Sequence, residues 1–286
     1  EMLHESHPNH EEIATFYALS ILGAVPVGRD TEAYEAGASV AKSVLLKNPN
    51  HPGALHYLIH SYDDPAHAHL ALDAAASYSE VAADAVHALH MPSHIFLAVG
   101  MWENVIASNI ASFEASVNRK EEKGLDNSAL SYHALNWLHY GYLQLGQQDA
   151  AQKIMEEMMV YVDSLPNESG RGYSIAMRGA YLLETNDWNH PISNYDISLE
   201  ELGLTAKAKK YFTNGKLAQI NAVPKNIDEA ISALEGELKK SALLVDESGL
   251  PMCSSGSGSS YKVNRLDLDQ TQVMLYLLKS LKYKLE

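Results

Sequence analysis

The sequence predicts an all-α chain whose helix hairpins stack side by side into an α-solenoid, and three observations lead there. Apolar residues recur at helical spacing along most of the 286 residues, while strand-like alternation is scarce. Glycines and prolines such as Gly23, Pro49, Pro65, Gly100 and Gly146 punctuate this pattern at the places where hairpin turns are needed. A pair of histidines also recurs at a fixed interval, as set out below. A single hairpin cannot bury its own apolar face, so neighbours must stack, giving a right-handed superhelix with a concave groove.

The elements follow in order. Residues 11–23 form a helix with acidic residues in its first turn and Gly23 at its end, and residues 31–47 pair with it before Asn48-Pro49-Asn50. The second hairpin has helices at 52–63 and 66–82 around Asp63-Asp64-Pro65. The third has helices at 86–99 and 102–117, with Gly100-Met101-Trp102 in the turn and Trp102 packing back between them. Residues 118–127 (NRKEEKGLDN) read as a solvated charged loop, and a fourth hairpin at 127–165 turns at Gly146. Beyond 165 the pattern is less regular, with helices at 173–185, 197–221 and 226–243. A Gly/Ser-rich loop at 250–261 and a last helix at 267–284 complete the chain. Residues 1–286 are thus expected to form one array, with repeats at 11–48, 52–83, 86–117, 127–165 and 173–243.

Composition narrows the function classes. At 46% hydrophobic residues the chain can bury a substantial core, which excludes wholesale disorder. No apolar run reaches the roughly 18 residues of a membrane helix, so no membrane span is expected. With 36 acidic against 21 basic residues the formal charge is −15, which repels phosphate backbones and excludes nucleic acid as a main partner. Such a surface suits cations or a basic peptide or protein in the groove. Cys253 is the single cysteine, so an intrachain disulfide and a thiolate metal site are both excluded. It lies in the Gly/Ser loop and reads as an ordinary thiol. The opening Glu1-Met2-Leu3-His4 has neither a basic start nor an apolar signal segment, and a piece of a longer protein is expected, cytoplasmic or exported.

The chemistry lies in the 14 histidines. His56 and His60 are four residues apart, as are His90 and His94, and i,i+4 residues share a helix face. An offset of 34 residues carries the first pair onto the second, and 34 is the tetratricopeptide period. Both pairs therefore occupy the same positions of the first helix in successive repeats. Counting back from Gly100 and Gly146 puts His87 and His133 at one equivalent position of their own repeats, again on the groove side.

HPGALHYLIHSYDDPAHA (51–68) and HALHMPSHIFLAVGMW (87–102) resemble the signature segments of a bacterial family of tetratricopeptide-repeat proteins, over roughly residues 11–115 and more weakly to about 190. The resemblance implies the fold and a bacterial source, and it brings no established activity with it.

His56, His60, His87, His90, His94 and His133 are accordingly the candidate metal ligands, with Tyr57, Asn136 and Trp137 lining the groove beside them. Imidazoles without thiolates suit copper, zinc, iron or nickel. They could form one four-histidine site or two sites of three ligands each, the latter being the arrangement of dioxygen-handling copper pairs. Three functions compete: a metal-holding scaffold, a copper or iron redox enzyme, and a metal-free peptide-binding adaptor. Both pairs lack the glutamate of a metallopeptidase helix, which disfavours that kind of hydrolysis. Pro92 lies between His90 and His94; it removes a helical hydrogen bond and disfavours α backbone at Met91, so the shared face is at risk there. Asp63 and Asp64 could stand behind the histidines and orient them, but just after a helix and before Pro65 they read mainly as turn formers. Ser93 lacks the glycines of a nucleophile elbow. His67 and His69 fall on a packing helix, and His4, His7 and His10 form a solvated terminal group.

Overall fold

The computed structural model describes residues 1–25, 28–165, 167–243 and 263–284. Among them every regular element is helical and there is no strand. The expected Gly/Ser loop at 250–261, with Cys253, lies outside the described residues. Those described gather into two compact units, residues 1–141 and residues 142–243 with 263–284.

The first unit begins with α1 (Met2–Ser6), α2 (Glu11–Gly23), α3 (Thr31–Leu45) and α4 (Pro52–Ser61), followed by a 3-10 turn at Ala68–Ala71 and α5 (Leu72–Val81). It continues through α6 (Val86–His90), α7 (Pro92–Ala98), α8 (Trp102–Lys123), a 3-10 turn at Asn127–Ala129 and α9 (Tyr132–Gln144), whose final residues belong to the second unit. Each long helix packs on its successor: α2 on α3, α3 on α4, α4 on α5, and both α6 and α7 on α8. Small residues permit this closeness. Ala38 and Ala41 of α3, and Ala71, Ala74 and Ala75 around α5, are almost wholly buried against Leu55, Leu58 and Ile59 of α4. Burying each of those three large chains stabilises the unit by about 1.5–3 kcal/mol. Gly53 marks a close approach of α4 to α2, since a Cβ there would stand 2.7 Å from Thr15 Cγ2.

The second unit comprises α10 (Gln148–Ser164), α11 (Glu168–Thr185), a 3-10 turn at Pro191–Asn194, α12 (Leu204–Ile220), α13 (Pro224–Ser241) and α14 (Arg265–Tyr283). Ala208, Ala230, Leu234, Leu275, Leu278 and Leu281 form the core where α12, α13 and α14 meet.

Several boundaries depart from expectation; the helix predicted from 173, for one, starts at Glu168 behind the Asn167 cap. The helix predicted to end at 117 runs on to Lys123 and stops at Gly124, whose left-handed backbone (φ 60°) accommodates a residue without a side chain. The second helix of the second hairpin starts at Leu72, because the 3-10 turn occupies the preceding residues. The helix predicted from 197 starts at Leu204; Ile197 and Leu202 are instead buried against Ile175 by the connecting chain.

Candidate metal centre

The first histidine pair sits on α4. His51 caps that helix, its Nδ1 accepting the Ala54 amide proton at 3.3 Å, and Pro52 at the first position adds a preset backbone angle. The face bearing Leu55, Leu58 and Ile59 turns inward, and the adjoining face carries His56 and His60.

The second pair spans the proline. Contrary to expectation, Met91 keeps right-handed α backbone (φ −53°, ψ −37°), its side chain only 1% exposed within the core. Burial there outweighs the local preference against that conformation. Around the proline the backbone hydrogen bonds re-pair locally. Met91 N–H reaches His87 O at 3.0 Å, and His94 N–H reaches Met91 O at 3.2 Å. The Ser93 hydroxyl donates to His90 O at 2.7 Å. Helical winding therefore persists through residue 91, and the shared face of His90 and His94 survives.

The six candidate histidines come together in two triads. His56, His60 and His87 form one; His90, His94 and His133 form the other; in each, one ring nitrogen per residue lies within 4.8 Å of the others. In the first, His56 Nε2 is 3.0 Å from His60 Nε2 and 3.2 Å from His87 Nε2. In the second, His90 Nε2 is 3.1 Å from His94 Nε2, and the His90 and His133 rings are 4.4 Å apart between centroids.

The far sides of two of these rings are held by acceptors. His94 Nδ1 donates to Asp63 Oδ2 at 2.8 Å, and His90 Nδ1 donates to Asn109 Oδ1 at 2.7 Å. The Asn109 amide nitrogen donates to Val105 O at 2.8 Å, so it is the oxygen that faces His90. Asp63 was expected mainly as a turn former; that role belongs to Asp64, which accepts the Ala66 and His67 amides and pairs with Arg29 at 2.7 Å. Asp63 follows His60 by three residues and so continues the His56–His60 stripe, which is the sequence signal for its part in the site. Asn109 had no such signal beyond being a polar residue at a fully buried position of α8.

Burial governs the electrostatics. It lowers His56 to about 3, helped by the charges of His60, His87 and His94. It lowers His60 and His133 to about 4, and it pushes His87 down and His90 well below the ordinary imidazole range. The charge of His94 contributes to the shifts of His56, His60 and His87, which ties the two triads together electrostatically. Burial also pushes the Asp63 carboxyl up, yet the hydrogen bond and charge from His94, with His60 and Arg29, hold it below the usual carboxylate value.

Aromatic rings surround the triads. Tyr57 and Tyr78 stack on His56 at 5.2 and 5.3 Å, while Trp137 lies 5.0 Å from His90 and 4.6 Å from His94. Asn136 is half-buried on α9, beside Trp137 in the chain. The remaining histidines stand apart. His67 lies before the 3-10 turn rather than on a helix and pairs with Asp64 at 2.8 Å, and His69 is exposed. His7 and His10 are exposed, whereas His4 stacks on Tyr17 at 5.0 Å instead of standing in solvent. His139, unremarked in the sequence, is fully buried in α9, and burial lowers it to about 3. Neither a family model nor a curated protein matches the chain.

Proposed function

We propose that this chain is a tetratricopeptide-type scaffold that holds histidine-ligated transition metal, with the ligands on the groove-facing helices of the first unit. The observation that carries this reading is the facing of His90 Nε2 and His94 Nε2 at 3.1 Å. A neutral imidazole has one proton and one lone pair. Both rings spend their proton on an oxygen acceptor at Nδ1, Asn109 in one case and Asp63 in the other. The Ser93 hydroxyl, its own proton committed to His90 O, turns a lone pair toward His90 Nδ1 at 3.4 Å and favours the same tautomer. Two lone pairs thus confront each other, and a cation between them turns that repulsion into coordination. Nitrogen ligands bound at about 2.0–2.1 Å to a tetrahedral ion stand ~3.3 Å apart, close to the 3.0 and 3.2 Å from His56 to His60 and His87 and the 3.1 Å between His90 and His94.

The second contribution is the carboxylate–histidine arrangement of Asp63 and His94, which fixes a ligand's tautomer and ring orientation. The test is elemental mass spectrometry on tag-free protein and on its His56→Ala/His90→Ala variant. Stoichiometric copper, zinc, iron or nickel is expected in the first and absent from the second. Protein that takes up no metal from any of these ions returns the histidines to ordinary groove residues and the chain to a peptide-binding role.

A further inference from the structure

We infer that the two triads act as one pair, binding two monovalent copper ions and, so loaded, dioxygen between them. This rests on the metal-holding reading above and names its metal and its reaction.

Three features lead to it. The first is the donor set. Each triad consists of imidazoles alone, and among the described residues no carboxylate joins either. Asp63, beside them, meets His94 at Nδ1, the nitrogen that does not face His90. Harder ions favour carboxylate oxygens, whereas an all-imidazole set suits copper, zinc, iron or nickel, of which copper is the one with a common monovalent state.

The second is charge. Six neutral ligands would leave two divalent ions with four positive charges at a site where His90 is 2% and His60 8% exposed. Concentrating uncompensated charge in such surroundings is costly. Two monovalent ions halve it, and the ionised Asp63 offsets part of the remainder.

The third is spacing. His87 serves the first triad and His90 the second, yet they are three residues apart on α6. Side chains at i and i+3 of a helix are neighbours, with about 5–6 Å between Cβ atoms. The two centres therefore lie side by side. Three protein ligands per ion leave a position open on each, and a diatomic molecule can span the two.

The reaction balances without another reagent. Each copper gives one electron, dioxygen takes both and becomes peroxide, and the two ions become divalent. The total charge of the pair and its ligand stays the same across that step, so the buried site meets no new charge. Tyr57, Tyr78 and Trp137, packed on the ligand rings, limit the access of water.

The experiment is an anaerobic titration of the full chain with copper(I), followed by admission of dioxygen. Two coppers per chain are expected, then a near-ultraviolet charge-transfer band and a copper pair silent in electron paramagnetic resonance. His60→Gln and His133→Gln should each hold one copper and lose the band. Circular dichroism verifies their folding, and His87→Gln and His94→Gln replace any variant that unfolds, because they remove a ligand from the same two triads. Isolated copper(II) signals after oxidation, or a band that persists in the one-copper variants, would overturn the paired site. Preferential loading with zinc that leaves no oxygen chemistry would overturn the copper assignment while leaving the metal scaffold intact. A chain that binds no metal at all loses both readings.

Discussion

A histidine can ligate only through the nitrogen that lacks a proton, so whatever sits behind the ring decides which face is active. Asp63 makes that decision for His94 and Asn109 makes it for His90. Replacing Asp63 with asparagine keeps the shape but removes the charge, and metal affinity should fall about 10–100-fold. Competition with a chromophoric chelator measures this; an unchanged affinity would reduce Asp63 to a turn residue. At this scale much of the site was legible. The six candidate ligands were visible because helical spacing and a repeat period are local properties of the chain. Their division into triads was not, because it depends on which neighbouring helix each ring meets. His87 joins His56 and His60 of another helix rather than His90 of its own. Asn109 was invisible for the same reason, since its role exists only where α8 packs on α6.

Among the elements, the join between α6 and α7 shows how a proline can be absorbed within a ligand-bearing helix. With His94 N–H turned toward Met91 O, the His90 carbonyl is satisfied by the Ser93 hydroxyl, in a position where both residues are buried. Ser93→Ala leaves that carbonyl without the hydroxyl and should cost about 1–3 kcal/mol of stability. Urea unfolding reads the loss, and an unchanged midpoint would show that the hydroxyl is dispensable. The same elements explain where the sequence misled. Residues 118–123 are mostly charged and read as a loop, but Arg, Lys and Glu are good helix formers, and a solvated helix face has the same composition. Residues 197–203 carry apolar side chains at helix-like spacing; burial of Ile197 and Leu202 beside Ile175 is a tertiary event that local periodicity does not encode. The long helices were thus legible as helices, while the short α1 was not, and helix ends were legible mainly where a glycine or proline imposed them.

For the molecule as a whole, buried neutral histidines make stability depend on pH in a defined direction. His56 and His139 are lowered to about 3, and His60 and His133 to about 4, while the unfolded chain titrates near 6.5. Between those limits the unfolded chain binds more protons than the folded one, so each step downward in pH favours unfolding. Metal-free protein should hold its stability above pH 6.5 and lose it steadily as the pH falls toward 3–4. Chemical unfolding at pH 7.0, 5.5 and 4.5 tests this, and equal midpoints at all three would mean that the rings are not held neutral by burial. The net charge of −15 does not set this window; it acts on partners, repelling polyanions and favouring cations.

The sharing of α6 between the two triads has an evolutionary consequence. The first triad draws on α4 and α6, and the second on α6, α7 and α9, so no hairpin owns a complete centre. A single hairpin carrying one histidine pair has no third ligand to offer, and a neighbour carrying the equivalent pair supplies it. The site is a product of adjacency, and a lineage that lost α6 and α7 would lose both centres in a single deletion.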